Sequence, residues 1–143
     1  VVFYQRGGAI QKIIDTKNPT VAGLDPKLDY VPNYMKEKIF KKYGNTLKAA
    51  GKALLKFNMG LIDELYDIVP AIKPQMAYYE MYGYEGLKAL TKTIEYAKEK
   101  GMYVIIDGKR NDIGYQWRKN TCLPGRLLNS EWISGNGRHL PTS

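Results

Sequence analysis

Three short apolar runs alternate with longer stretches whose apolar residues recur at helical spacing, and this alternation limits the possible folds most severely. The runs are Thr20-Val21-Ala22-Gly23-Leu24, Ile68-Val69-Pro70-Ala71-Ile72 and Met102 to Ile106. A run that is apolar throughout reads as a strand buried on both faces, the habit of parallel sheets. Between the first two runs, Leu47, Leu54, Phe57, Leu61 and Leu65 recur at three, four or seven residues, as one buried helical stripe demands. Asn45 or Thr46 stands ready to cap that helix just after Gly44. Leu87, Leu90, Ile94 and Ala97 form a second stripe, closed by Gly101 as a C-terminal cap. A short opening helix carries Ile10, Ile13 and Ile14 on one face and closes near Asn18-Pro19. Strand, helix, strand, helix, strand in this order predicts parallel β/α units. No short-period repeat or low-complexity tract interrupts them.

Composition narrows the function classes. A chain of 143 residues holds one domain with a real core, or part of a larger single domain. Apolar residues at 44% and charged residues at 25% describe a globular chain, not a disordered one. One cysteine, Cys122, allows no intramolecular disulfide, and one Cys with one His leaves no His/Cys zinc site. The apolar runs are far too short to cross a bilayer, so no membrane association is expected. No basic-then-apolar leader opens the sequence, which makes the cytoplasm the expected compartment. The first residue is Val1 and not Met, which suggests that the start is missing.

The formal charge of +8 comes largely from lysines at helical positions, such as Lys36, Lys38, Lys41, Lys42, Lys48, Lys52 and Lys56. Such spacing is usually a solvated helix face. The sharper reading is attraction of an anion. No Arg/Gly-rich tract or aromatic RNA-binding motif supports nucleic acid, so a phosphorylated small molecule is the better version of it.

Each apolar run hands over a charged residue at its C-terminal end: Asp25, then Lys73, then Asp107 followed by Lys109 and Asp112. In parallel β/α folds the ligand site lies at that end of the strands. Charges placed there are costly unless they pair, so they are expected to cluster rather than sit singly in solvated loops.

Asp107-Gly108-Lys109-Arg110-Asn111-Asp112-Ile113 resembles the Asp-x-Lys-x-x-Asp-Ile signature of the orotidine 5'-phosphate decarboxylase family. Two further stretches agree in order. Val21-Ala22-Gly23-Leu24-Asp25-Pro26 is similar to the family's first strand. The segment Lys73-Pro74-Gln75-Met76-Ala77-Tyr78-Tyr79-Glu80 is similar to the Lys-Pro-Gln-x-Ala-Phe-Phe-Glu block of its longer bacterial and archaeal subgroup. Together they are strongly specific and cover about Phe3 to Gly114, with Gly108 where the family usually has Ala.

The resemblance implies a (β/α)8 TIM barrel of which this chain carries about the first three units, a complete barrel needing about 250 residues. It implies conversion of orotidine 5'-monophosphate to uridine 5'-monophosphate and CO2, in pyrimidine biosynthesis, with no metal and no organic cofactor. Lys109 would stabilise the nascent ring carbanion and donate the proton, and Asp107 would face the substrate carboxylate. Lys73 would pair with Asp107 and contact the ribose, and Asp25 would hold ribose hydroxyls. Asp112 and Ile113 would reach across the interface of a homodimer. Alternating signs let four charges share a poorly hydrated site, which neighbours of one sign could not do.

Tyr115 to Ser143 departs from this pattern. It holds both tryptophans, the only Cys and the only His, and no apolar period runs through it. Cys122 to Leu128 can be encoded by TGC TTA CCT GGG AGA CTT CTT. Read one base later, with the A that opens an Asn codon, this gives Ala-Tyr-Leu-Gly-Asp-Phe-Leu, similar to the family's next helix. The expectation is residues 1–114 from a decarboxylase barrel, then a non-family tail over 115–143. The tail is either the product of a frame change between Gly114 and Cys122 or a divergent, disordered terminus. The phosphate-gripping loops of such barrels follow strands seven and eight, so this chain alone is expected to be inactive. A metal-dependent phosphate-sugar barrel enzyme sharing Asp-x-Lys-x-x-Asp, or a non-catalytic fragment, are the competing readings. The Lys-Pro-Gln-x-Ala block weighs against the former.

Overall fold

A computed structural model describes residues 6–108 of the chain. Lys109, Asp112, Ile113 and the whole of 115–143 lie outside the described residues, as does Val1.

The parallel β/α alternation is present. Helix α1 (Arg6–Thr16) leads into strand β1 (Val21–Leu24), and a single 3-10 turn (Leu28–Tyr30) follows. Helices α2 (Asn33–Tyr43) and α3 (Leu47–Leu65) carry the chain back to strand β2 (Ala71–Pro74). A one-turn helix α4 (Ala77–Glu80), helix α5 (Gly83–Glu99) and strand β3 (Tyr103–Val104) complete it. The strands form one sheet in the order β1-β2-β3, parallel throughout. None of the described helices is long and apolar enough to cross a membrane.

Local chemistry explains the helix ends. Thr46 Oγ1 accepts the Ala49 N–H at 3.2 Å, so of the two candidate caps the hydroxyl residue is the one used. At the end of α5, Gly101 takes φ +75°, its N–H reaches Lys98 O at 2.9 Å, and Met102 N–H reaches Ala97 O at 2.9 Å. These paired bonds are the Schellman arrangement, which a left-handed glycine permits at little cost. Ala97 and Met102 then pack in the same cluster, so the cap is also a piece of core.

Two apolar clusters hold the layers together. Leu24 and Ile72 from the strands meet Ile62 of α3, Ala97 of α5, Val69 and Met102, with Ala22, Leu61 and Val104 packed at the margin. A second cluster, Leu28, Val31, Ala50, Ala53, Leu54, Met81 and Tyr82, joins α3 to the segments around α2 and α4.

Several sequence-based expectations need correction. The strands are shorter than the apolar runs: β2 begins at Ala71, because the N–H groups of Ile68 and Val69 still bond Leu65 O at the end of α3. Pro70 offers no N–H to extend the ladder backwards. Strand β2 is buried along most of its length, whereas Val21 of β1 and Ile105 and Ile106, just past β3, are exposed. In α3 the deepest line is Ala50, Leu54, Asn58 and Ile62, whereas Leu47, Phe57, Leu61 and Leu65 flank it half-buried. Small residues win that line because α5 comes close: a Cβ on Gly51 would stand 2.6 Å from Glu85 O. Leu87 of α5 and the Ile10, Ile13 and Ile14 face of α1 are likewise exposed.

Where α3 and α5 run out together, Lys100 Nζ lies 2.7 Å from Asp63 Oδ1, and Tyr96 OH donates to the same oxygen at 2.6 Å. The hydrogen bonds from Lys100 and Tyr96 hold the Asp63 carboxyl below its ordinary value of 3.8. A depressed folded value means the contribution to stability is complete above that ordinary value and fades as pH falls through the folded one. Asp63→Asn is therefore expected to flatten the acid limb of a stability-versus-pH curve. An unchanged acid limb would contradict this.

Candidate active site

The register decides which side chains can meet. Gly23 stands opposite Lys73, Leu24 opposite Pro74, Ala71 opposite Tyr103 and Ile72 opposite Val104. Beyond the regular ladder, Gln75 bridges Asp107: Met76 N–H bonds Asp107 O at 3.0 Å and Asp107 N–H bonds Pro74 O at 3.0 Å. Successive strand side chains point to opposite faces, so Ala22, Leu24, Ile72 and Val104 share the face against the helices. Gly23, Lys73, Ile105 and Asp107 take the other face. Asp25 follows β1 on that same side, its Oδ2 lying 3.8 Å from where a Gly23 Cβ would be.

Three of the residues singled out in the sequence therefore gather at the C-terminal end of one sheet face. Lys73 Nζ lies 3.4 Å from Asp107 Oδ2, with the carboxylate side chain 11% exposed and the lysine 39% exposed. The carboxylate is thus largely withdrawn from water while the ammonium keeps an open side, a shape suited to receiving a polar ligand. Asp25 Oδ1 is buried and accepts no hydrogen bond among the described residues. A buried acceptor without a donor is costly, and a ligand hydroxyl would satisfy it. Lys109, Asp112 and Ile113 lie outside the described residues.

A polar network that sequence reasoning missed stands behind Asp25. Asn58 Nδ2 donates to Tyr79 OH at 3.0 Å and to Thr93 Oγ1 at 3.1 Å. Tyr79 OH donates in turn to Leu24 O at 3.2 Å, and Thr93 Oγ1 to Ala89 O at 2.8 Å. All three side chains are fully buried. Burial pushes the Tyr79 hydroxyl well above its ordinary value, the Asn58 hydrogen bond works the other way, and the Asp25 charge adds to the rise. Tyr79 consequently stays a neutral donor that ties the last carbonyl of β1 to the helical layer. One signal was legible: Asn58 sits four residues from both Leu54 and Ile62, a polar residue on a core line. Tyr79→Phe removes one donor to Leu24 O and leaves one Asn58 N–H unpaired. It is expected to cost about 1–2 kcal/mol in urea unfolding, and a neutral result would remove the network from the fold's support.

Among known proteins, orotidine 5'-phosphate decarboxylases match this chain. That of Rhodopirellula baltica is 37% identical over 102 residues, which is 71% of this chain and 33% of the relative. That of Clostridium tetani is 39% identical over 104 residues, 73% of this chain and 33% of the relative. The chain is related to the orotidine 5'-phosphate decarboxylases. The Petrotoga mobilis decarboxylase agrees, at 41% identity over 100 residues, 70% of this chain and 32% of the relative. The chain thus spans about a third of the length of the curated decarboxylases it matches. A crystal structure from Streptomyces avermitilis, itself an inferred orotidine 5'-phosphate decarboxylase, shares the fold with a TM-score of 0.53 and 24% identity. The similarity covers 80% of this chain and 39% of that one. No family model matches the chain.

Proposed function

We propose that residues 1–114 are the N-terminal portion of an orotidine 5'-phosphate decarboxylase, and that Asp25, Lys73, Asp107, Lys109, Asp112 and Ile113 belong to its active site. The observation that carries this is the Lys73–Asp107 pair on the face and at the strand end where Asp25 also emerges. The parent protein is a cytoplasmic homodimer, residues 115–143 are foreign to the barrel, and the substrate is orotidine 5'-monophosphate.

The reaction breaks the bond from the pyrimidine ring to its carboxylate carbon. The electron pair stays on the ring carbon, CO2 leaves, and a proton must arrive at that carbon. Asp107 faces the substrate carboxylate, so like charges crowd in the ground state and separate as CO2 departs. The ammonium of Lys109 attracts the developing negative charge and then gives its proton to the same carbon, yielding uridine 5'-monophosphate. Lys73 pairs with Asp107 and reaches the ribose through its open side. Asp25 accepts from ribose hydroxyls, which its Oδ1, without a donor among the described residues, favours. The sheet face supplies position, and the alternating charges supply most of the stabilisation.

The test is a chimera in which residues 6–114 replace the matching third of the Clostridium tetani decarboxylase. Growth of a pyrimidine auxotroph on the chimera, and its loss with Lys109→Ala, are expected. A soluble chimera that neither complements nor turns over orotidine 5'-monophosphate would overturn the reading. The 143-residue chain by itself is expected to show no turnover.

A further inference from the structure

Five lysines that are scattered in sequence converge in space on the helical layer. Lys48 and Lys52 of α3 face Lys88 and Lys92 of α5 across a cavity of about 80 Å³, with Glu85 as the acidic residue lining it. The cause is backbone packing, since Gly51 lets α3 approach the Glu85 carbonyl so closely that both lysine rows edge one cleft. Beside it, the ammonium groups of Lys42, Lys48 and Lys52 lie 5.5, 5.6 and 4.9 Å from the centre of the Tyr43 ring. Three exposed ammonium groups gathered at one ring add to the local positive potential, which the ring's electron-rich surface offsets only in part.

The helix adds to the imbalance. Lys48 occupies the first turn of α3, at the positive end of its dipole, and that turn carries no acidic residue. Among the described residues, none of Lys42, Lys48, Lys52, Lys88 and Lys92 is ion-paired with a carboxylate. Among the described residues, the four lysines lining the cleft outnumber its one carboxylate, that of Glu85.

We propose that this cleft binds a small multivalent phosphate anion of the size of pyrophosphate. The cavity suits one phosphate group, and lysines from both walls can reach a second at its mouth. Lysine ammonium groups act as point charges on flexible stems and tolerate several phosphate orientations. The inference is independent of the decarboxylase reading, because it uses other residues on another layer of the fold.

The experiment is isothermal titration of the full 143-residue chain with pyrophosphate at low ionic strength, with helix content followed by circular dichroism. Saturable one-to-one binding is expected, weakened by about tenfold or more in Lys52→Gln/Lys88→Gln as two charges leave the cleft. Lys38→Gln/Lys98→Gln removes the same net charge elsewhere and should leave the affinity unchanged. Equal weakening by both pairs, or no saturation by pyrophosphate, would overturn the proposal. So would retention of a long RNA without saturable pyrophosphate binding, which would point to a diffuse polyanion surface.

Discussion

Asp107→Asn in the completed chimera is expected to lower kcat by about 100- to 1,000-fold while leaving the thermal midpoint nearly unmoved. The substitution keeps the size and both backbone contacts that Asp107 makes with Pro74 and Met76, so the bridge across to β2 survives. What disappears is the charge opposite Lys73, now 3.4 Å from the carboxylate. On the proposed assignment, the amide no longer crowds the substrate carboxylate and no longer holds the ammonium array in alternation. The loss should fall on kcat more than on KM, because the crowding is relieved only as CO2 departs. A variant with ordinary turnover would remove Asp107 from the mechanism. A variant that unfolds would be recognised by its lost helix signal, and Lys73→Gln would then test the same pair from the other side.

Gly86→Ala is expected to destabilise the chain by about 3 kcal/mol, through overpacking against a part that cannot yield. A Cβ at this position would collide with the carbonyl oxygen of Tyr79 and stand 2.9 Å from the Cβ of Tyr82. The Tyr79 carbonyl is backbone in the α4 turn, bonded to the Tyr82 N–H, so α5 as a whole must back away. The same shift would disturb the Tyr79 side chain and loosen its grip on Leu24 O. Gly60 makes the contrast: it is helical too, but a Cβ there meets nothing within 4 Å. Gly60→Ala should stabilise by about 0.5–1 kcal/mol, since a helix interior favours alanine over glycine. Urea unfolding of the two variants checks both signs, and equal effects would refute the packing explanation.

Much of the architecture was legible because it rests on local chemistry. A cap at Asn45 or Thr46, the stop at Gly101 and the alternation of the three strands with the two long helices each follow from residue type and spacing. The strand lengths did not, because apolar character continues through Ile68 and Val69 although their N–H groups belong to the preceding helix end. The α3 stripe was misjudged for a different reason. Hydrophobic size ranks Leu47, Phe57 and Leu65 above Ala50 or Gly51, yet a close helix crossing selects the smaller side chains. At the site, Lys73 and Asp107 were marked by their places after apolar runs, and the register puts them on one face. Asn58, Tyr79 and Thr93 were overlooked because the partners are 21 and 35 residues apart, so no local pattern joins them. Tyr79 also falls where the resembling block has Phe, so its hydroxyl has no counterpart in the motif.

The two sides of the three-strand ribbon do different jobs, and the division has an evolutionary consequence. Leu24, Ile72 and Val104 anchor the ribbon to its helices, while Gly23, Lys73 and Asp107 take no part in that anchoring cluster. Changes to the second group can alter what is bound or transformed without asking the first group to repack. A scaffold wired in this manner can change its chemistry one residue at a time and remain folded at every intermediate.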